Sequence, residues 1–339
     1  MLFNKKLHYI MLLSYGLIGG PSFSTMKIIP SSYLTTYTHD NLLVLDAKDS
    51  FTLPHRFRAT SMPISQEKRE LYLKTHRMLP SFKGYKELKV SGSAQFSRKN
   101  ILAALPSMQG KVYIIDLRQE SHGFLNGAAI SWYGERNWAN KGQKDSFINN
   151  LEISLFQQLM SLQKTSVCNF QKISNNHLCK RVSYSSIEIK TAETEEKLIK
   201  SLGLEYLRFP VLDRWRPDDK VINQFVNFIK TLPEGAWLHF HCRGGSGRTT
   251  TFLVMYDIIR NGRHVKFNDI IARHALSGVK NLQEISYLED DKWATKGALK
   301  RLAILEKFYD YVQDPEGYAA RSWLEWLILK KAEFTSQEF

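Results

Sequence analysis

The sequence has no internal repeat, no low-complexity segment and no long hydrophobic run. The apolar run from Tyr9 to Gly19 is shorter than the roughly 20 residues that a helix needs to cross a bilayer, so stable membrane insertion is not expected. Hydrophobic residues make up 43% and charged residues 24% of the chain, and these ordinary proportions favour neither disorder nor a membrane bundle. A chain of 339 residues is long enough for a well-buried core in one large domain or two domains.

Negative charge is scarce, since 33 Asp and Glu face 47 Lys and Arg and leave a net charge of +14. A basic field raises the local concentration of anionic partners such as nucleic acid, acidic membranes or polyphosphates. The sequence contains no recognised nucleic-acid motif and no stripe of interleaved aromatic and basic residues, so nucleic acid is not expected as a partner. The alternative is a solvated basic surface that binds nothing in particular.

Cysteine is also scarce, with three in the chain. Residues 1–24 carry two lysines, then the apolar run, then small residues, an order typical of a signal peptide; a buried N-terminal helix is the alternative. Export to the periplasm or out of the cell would place Cys168 and Cys179 where a hairpin disulfide forms, leaving Cys242 as a candidate reactive thiol. Translocation into a host cell as an effector is the other destination, and its reducing interior argues against that bridge.

From Thr194 onward, helix and strand patterns alternate. A short helix is predicted between Thr194 and Gly203, and the segment EYLRFPV that follows predicts a strand. Residues 218–232 carry one apolar face at helical spacing, which predicts a second helix. The segment WLHFH predicts a strand, and the helix predicted after the loop ends at Gly262. KVYIIDL, at residues 111–117, predicts a buried strand, and residues 180–190 predict a hairpin arm. Residues 118–142 are rich in Gly and Asn, so a long loop or a series of turns is expected there.

The segment HCRGGSGR, residues 241–248, lies between a predicted strand and a predicted helix, where open α/β sheets bind ligands. Its three glycines let the backbone curl so that its N–H groups bind an anion, and the helix adds its positive end. The same surroundings lower the pKa of a cysteine from roughly 8.5, so Cys242 becomes a nucleophile. Arg248 supplies a planar fork for two phosphate oxygens, and the Cys-x5-Arg spacing brings both around one phosphoryl group.

This signature of cysteine-dependent phosphatases predicts a two-step displacement through a cysteinyl phosphate, which requires a general acid. Asp213 is the best candidate because it follows a strand and precedes the nucleophile by one strand–helix unit, whereas a helix cap explains Asp218. Thr249 either donates its hydroxyl to the departing thiolate or is a first-turn helix residue. His241 either organises the loop or is a buried strand histidine.

Three segments resemble one family: residues 207–261, which include the loop, VSGSAQFS at 90–97, and residues 116–142. They are similar to the protein-tyrosine-phosphatase-like inositol phosphatases of bacteria, also called cysteine phytases. The resemblance implies an α/β fold with a tyrosine-phosphatase-like core and a smaller β-rich accessory domain. It also implies stepwise removal of phosphates from inositol hexakisphosphate without a metal or other cofactor.

Carried over by position, the family's nucleophile falls on Cys242, its phosphate-binding arginine on Arg248, its general acid on Asp213 and its hydroxyl helper on Thr249. A family arginine that touches substrate phosphates falls on Arg58. The chain departs from the family at Arg214, where histidine is common. A polyanionic substrate needs many cations around one pocket, so the expected substrate-binding residues are Arg243, Gly244, Gly245, Ser246, Gly247, Arg58, Arg214, Lys292 and Lys296.

The expected organisation is a signal peptide (1–24), the N-terminal part of the core (25–145), a β-rich accessory segment (146–192), the catalytic core (193–330) and a polar tail (331–339). The lysine spacing of four in 292–300 also fits a solvated helix face. Three other functions share the loop: a phosphatase of phosphotyrosine or phosphoinositides, a rhodanese-type sulfurtransferase, and an inert phosphate-binding module. In a sulfurtransferase Asp213 would have no task, and inert phosphate-binding modules typically lose the cysteine or the arginine.

Overall fold

A computed structural model describes residues 29–170, 182–278, 281–285 and 292–337. The predicted signal peptide and Cys179, one half of the predicted disulfide, lie outside these residues. The strands are β1 (Leu42–Ala47), β2 (Arg58–Ala59), β3 (Val90–Ala94), β4 (Val112–Arg118), β5 (His122–Leu125), β6 (Ala128–Tyr133), β7 (Lys164–Phe170), β8 (Val182–Glu188), β9 (Ala192–Thr194), β10 (Glu205–Val211) and β11 (Trp237–Cys242). The α-helices are α1 (Ser31–Asp40), α2 (Gln66–Leu73), α3 (Arg98–Ala104), α4 (Asp145–Met160), α5 (Glu195–Ser201), α6 (Asp219–Lys230), α7 (Gly247–Asn261), α8 (Phe267–Leu276), α9 (Lys292–Gln313) and α10 (Trp323–Gln337).

The strands form two sheets. The first has the order β10-β4-β11-β3-β2, in which β2 is an antiparallel edge strand and the other four are parallel. The second has the order β8-β7-β1-β6-β5-β9, with β1 and β7 parallel and the remaining pairs antiparallel. Helices flank both sheets, so the expected α/β fold is confirmed.

The two central strands of the first sheet, β4 and β11, are buried along their whole length. Strands covered on both faces read as continuous apolar runs, which is why KVYIIDL and WLHFH were recognisable. Ile115 and Phe240 face a core that is completed by α6 to α10. Ile114 and Trp237 face a smaller core formed with α3 and α5.

The caps predicted for two helices are present. Thr194 accepts a hydrogen bond from the Lys197 N–H at 3.3 Å and begins α5. Asp218 accepts one from the Val221 N–H at 2.8 Å and begins α6, so Asp218 is a helix cap as its position suggested. A short polar side chain before an apolar helical face satisfies a backbone donor that the helix leaves open, and this local signal is readable in the sequence.

The expectation of a long loop at residues 118–142 is wrong, because β5 and β6 form a hairpin there. Asn126 and Gly127 make its two-residue turn, with φ of +52° and +81°. Asn-Gly supplies two residues that adopt the left-handed conformation a tight hairpin requires, so this dipeptide was the available signal. The expected series of turns is present only after β6, where residues Glu135–Asn137 form a 3-10 helix and turns follow to residue 142.

Two predicted boundaries also change. The accessory segment predicted at 146–192 is too narrow, because the second sheet takes β1, β5 and β6 from earlier in the chain and α4 fills residues 145–160. The polar tail predicted from residue 331 is part of α10, which continues to Gln337. Within the described ranges, no helix combines the length and the apolar character needed to span a bilayer.

Candidate active site

The predicted loop lies at the carboxyl end of β11, in the middle of the parallel part of the first sheet. Cys242 ends the strand and Gly247 begins α7, so five residues separate the cysteine from Arg248. The loop borders a cavity of about 560 Å³ that Cys242, Arg248 and Asp213 all line. The structure therefore brings together the three residues on which the predicted chemistry depends.

Three successive carbonyls of the loop accept hydrogen bonds from outside it. The donors are the Gln95 N–H to Arg243 (3.1 Å), the Arg56 guanidinium to Gly244 (2.6 Å) and the Arg58 guanidinium to Gly245 (3.0 Å). In a trans peptide the N–H points away from its carbonyl, so the N–H groups that follow these carbonyls point away from the three donors. This is the backbone geometry that binds an anion, and the amino end of α7 adds to its positive potential.

Gly245 is the glycine whose conformation the loop requires. Its φ is +66°, and a Cβ at this position would overlap the backbone nitrogen of Ala94 at the end of β3. Because the obstruction is backbone, a larger residue would have to move the loop. The sequence suggested glycines for tight curvature, and the structure adds close packing against β3.

Cys242 is 3% exposed, and its Sγ lies 3.1 Å from Thr249 Oγ1. The Thr249 hydroxyl is thus within donating distance of the sulfur, and it also lies 3.3 Å from the Ser93 carbonyl. His241 is buried in β11, and its Nε2 lies 2.7 Å from Glu195 Oε1. This is the position of a buried strand histidine, the second of the two readings of His241.

Arg248 is buried and held by Glu120, a residue that the sequence analysis did not single out. Its two terminal nitrogens donate to the two Glu120 carboxylate oxygens at 2.7 and 2.9 Å, and NH1 also donates to the Val211 carbonyl at 2.9 Å. Burial by itself would raise the pKa of Glu120, but the guanidiniums of Arg248 and Arg118 hold it well below its ordinary value. The bidentate pair fixes the plane of the Arg248 fork.

Asp213 lies in the turn after β10, with its carboxylate at the cavity. Its Oδ1 is 3.1 Å from Arg248 NH2, and its Oδ2 accepts a hydrogen bond from Asn137 Nδ2 at 3.2 Å. The Trp138 indole N–H donates to the Asp213 carbonyl at 3.0 Å. Both the backbone and the carboxylate of Asp213 are therefore held by the turn that follows β6.

Besides Arg248, four arginines line the cavity: Arg56, Arg214, Arg243 and Arg301. Arg214 has a left-handed backbone, φ +56°, and its guanidinium lies 5.5 Å from the centre of the Trp293 ring. Arg301 is 7% exposed and lies beside Gly247, and burial lowers its pKa. Among the described residues, its Nε and NH1 have no hydrogen-bond partner, so this buried cation is suited to an anion in the cavity.

Arg58 does not occupy the substrate-contacting position predicted for it. It is 5% exposed and lies behind the loop, donating to the Gly245 carbonyl and to Thr250 Oγ1, each at 3.0 Å. Burial lowers its pKa to about 10. Arg56, two residues earlier, lines the cavity instead, so Arg58 supports the loop from outside.

Lys292 and Lys296 are also placed differently from the prediction. Both are exposed on α9, and neither lines the cavity. The face of α9 that borders the cavity carries Ala294, Thr295, Ala298 and Arg301. Helix phase explains the difference, because residues four apart share one face and the lysines lie on another.

Asp46 is a further residue that the sequence analysis missed. It lies in β1 where the pairing with β6 shifts register between Leu45 and Ala47. Its carboxylate accepts from Arg243 Nε at 2.7 Å and from Arg118 NH1 at 2.9 Å. A β-bulge redirects a side chain, and here it brings a carboxylate of the second sheet to the loop of the first. No local pattern signals such a contact.

The fold and the loop together define a protein-tyrosine-phosphatase-like architecture, and comparisons with known proteins agree. A sequence model of the PTP-like phytase family, described by the words "Inositol hexakisphosphate", matches residues 115–260. The PTP-like myo-inositol phosphatase of Mitsuokella multacida, solved in complex with myo-inositol-(1,3,4,5)-tetrakisphosphate, is 32% identical with a TM-score of 0.76 over 86% of this chain and 48% of its own. A PTP-like phytase from Bdellovibrio bacteriovorus is 29% identical with a TM-score of 0.61 over 85% and 95%. This chain therefore resembles the PTP-like phytases in sequence over residues 115–260 and in fold over most of its length.

Relatives also include proteins of Pseudomonas and Xanthomonas. The effector protein hopD2 of Pseudomonas syringae pv. tomato is 27% identical over 259 residues, which are 72% of this chain and 52% of the relative. The uncharacterized protein AvrBs1.1 of Xanthomonas campestris pv. campestris is 39% identical over 95 residues, 26% of this chain and 86% of its own length. The chain thus spans about half the length of hopD2 and of the Mitsuokella phosphatase.

Proposed function

We propose that this protein hydrolyses phosphate monoesters of inositol polyphosphates through a cysteinyl-phosphate intermediate. The observation that carries the proposal is the convergence of Cys242, Arg248 and Asp213 on one cavity, with Asp213 Oδ1 3.1 Å from the Arg248 guanidinium. A thiol at the carboxyl end of a strand, a planar cation and a carboxylate are the nucleophile, the phosphate clamp and the general acid of such a reaction.

In the first step the Cys242 thiolate attacks phosphorus, and an S–P bond forms as the bond to the leaving oxygen breaks. Asp213 gives its proton to that oxygen, so the inositol leaves as an alcohol. In the second step Asp213 takes a proton from water, the water oxygen bonds to phosphorus, and the S–P bond breaks to return the thiolate. The Thr249 hydroxyl, 3.1 Å from the sulfur, stabilises the departing thiolate, and Arg248 with the loop N–H groups holds the phosphoryl oxygens.

The substrate class follows from the charge around the cavity. One phosphate needs one clamp, which Arg248 and the loop supply. Arg56, Arg214, Arg243 and Arg301 add guanidiniums on the same cavity walls, and charge-assisted bonds to them suit further phosphates of the same molecule. The solved relative that holds an inositol tetrakisphosphate supports this assignment. The effector relative supports action inside a host cell as the setting of the reaction.

Phosphate release from inositol hexakisphosphate tests the proposal, with phosphotyrosine peptide and phosphoinositide vesicles assayed in parallel. We expect the inositol polyphosphate to be the best substrate, Cys242→Ser to be inactive, and Asp213→Asn to lose about 10²- to 10⁴-fold, the usual contribution of a general acid. Thr231→Ser, in the turn after α6, is the matched control because its hydroxyl donates to the Phe228 carbonyl and Thr231 does not line the cavity. Preference for the peptide or the lipid would overturn the proposed substrate class. No activity on any of the three substrates would overturn the proposal that the protein is an enzyme.

A further inference from the structure

Residues 135–138, the turn that follows β6, have an unusual backbone. Arg136 and Asn137 are consecutive non-glycine residues with left-handed φ values of +54° and +61°. Such a conformation carries a free-energy cost and persists only where the surroundings enforce it. Asparagine tolerates the left-handed region of φ/ψ space better than most residues, so the backbone at position 137 favours asparagine.

The Asn137 side chain joins two carboxylates. It is 1% exposed, and its Nδ2 donates to Glu120 Oε1 at 2.9 Å and to Asp213 Oδ2 at 3.2 Å. The Asn137 NH2 group is the donor in both contacts, because an amide oxygen has no hydrogen to give. The same Glu120 grips Arg248, which means that one amide group connects the phosphate clamp to the acid.

The backbone of the Asp213 turn is held independently of Asn137. The Trp138 indole donates to the Asp213 carbonyl at 3.0 Å. On the other side, α9 packs so closely at Gly297 that a Cβ there would overlap the Arg214 carbonyl. The Asp213 carboxylate is held at Oδ1 by Arg248 at 3.1 Å and by the Arg214 N–H at 2.9 Å, and the contact that is specific to Asn137 holds the other oxygen, Oδ2.

We propose that Asn137 is a positioning residue that aims the general acid Asp213 at the leaving oxygen. The inference rests on the proposed function. Proton transfer needs the acid within hydrogen-bond reach of the leaving oxygen, and a displacement of about 1 Å costs on the order of 10²-fold in rate. Loss of the Asn137 amide therefore impairs the step that depends on the acid and spares substrate binding and nucleophilic attack.

The leaving group separates this role from a structural one. An inositol hydroxyl is a poor leaving group that needs a proton, whereas p-nitrophenolate leaves without one. We expect Asn137→Gly, which keeps the left-handed backbone accessible, to lower kcat/KM about 10- to 100-fold on inositol hexakisphosphate and by less than about threefold on p-nitrophenyl phosphate. Asp213→Asn should show the same selectivity with a larger loss.

Asn126→Gly is the matched control. Asn126 has a φ of +52° in the β5–β6 turn and forms hydrogen bonds to the 188–191 segment, away from Asp213. The Asn126→Gly variant should leave unchanged the ratio of kcat/KM on inositol hexakisphosphate to kcat/KM on p-nitrophenyl phosphate. Asn137→Asp, of the same volume, supplies the second test if the glycine variant does not fold. Equal losses on both substrates, or no loss on either, would overturn the role of Asn137 while leaving the proposed function in place. A wild-type protein inactive on both substrates would overturn the proposed function and this role with it.

Discussion

Substitution of Glu120 by glutamine tests the buried charge network directly. The Glu120 carboxylate accepts hydrogen bonds from Arg248, from Arg118 Nε at 2.9 Å and from Asn137, and the Glu120, Arg118 and Arg248 side chains are at most 1% exposed. Glutamine keeps the volume and one acceptor oxygen. It replaces the other oxygen by an NH2 group that faces guanidinium donors and removes the negative charge between two cations.

The magnitude follows from what the two arginines retain. Removing one partner of a buried ion pair typically destabilises a protein by 3–5 kcal/mol. Arg118 keeps Asp46 at 2.9 Å, and Arg248 keeps Asp213 at 3.1 Å and the Val211 carbonyl at 2.9 Å. Since each cation keeps a second carboxylate, we expect the lower end of the range, a loss of about 3 kcal/mol in the free energy of unfolding.

Urea unfolding of the purified protein measures this loss, with kcat/KM on inositol hexakisphosphate as the second readout. Arg248 without its bidentate partner turns toward Asp213, so kcat/KM should fall about 100-fold. Glu205→Gln is the control, because Glu205 pairs with Lys111 at 2.6 Å on the surface, and its substitution should not measurably move the urea midpoint. A Glu120→Gln protein with wild-type stability and wild-type activity would refute the reasoning.

Three further predictions follow. Gly245→Ala should lower kcat/KM by about 100-fold or more, as measured on p-nitrophenyl phosphate, because the added Cβ would overlap Ala94 backbone and displace the loop. Arg301→Gln should raise KM for inositol hexakisphosphate about tenfold or more and leave KM for p-nitrophenyl phosphate unchanged, since the smaller substrate has no second phosphate. Burial would lower the pKa of His122, but the Asp116 and Glu195 carboxylates raise it from 6.5 to about 9. The resulting stabilisation, about 3 kcal/mol, is complete below pH 6.5 and is lost as pH rises through 9, so urea titrations across that window should show a steeper loss for wild type than for His122→Gln.

The parts of the site that the sequence predicts correctly share a local cause. Cys242, the glycines and Arg248 lie within one strand–loop–helix unit, and their spacing alone brings them around one anion. The caps of α5 and α6 are likewise decided by a few neighbouring residues. Asp213 was recognisable because it follows a strand that ends at the same sheet edge.

The parts that the sequence analysis missed depend on contacts between distant segments. Glu120 reaches the site because β4, which it follows, pairs with β11, and Asn137 reaches it because the β5–β6 hairpin returns the chain. Asp46 reaches it through a bulge in another strand. Arg56 and Arg58 are two residues apart, and only the pairing of β2 with β3 decides which of them lies behind the loop. Local patterns carry no information about such pairings.

The α9 cations illustrate the same limit within a helix. The spacing of Lys292 and Lys296 correctly indicated a helix, but it could not indicate which face of that helix borders the cavity. The buried cation at the cavity is Arg301, which shares a face with Ala294 and Ala298. Apolar neighbours at helical spacing were the signal that distinguished this arginine from the exposed lysines.

The central claim is that Cys242 becomes phosphorylated during turnover. Acid quenching of the Asp213→Asn variant within the first turnover on p-nitrophenyl phosphate, whose leaving group needs no proton, followed by mass spectrometry of the peptide that carries Cys242, measures this directly. The account predicts a phosphoryl group on Cys242 that accumulates because the variant lacks the base for its hydrolysis, and none in Cys242→Ser. Full release of phosphate by wild type with no phosphoryl group on Cys242 in the variant, at any quench time, would contradict it.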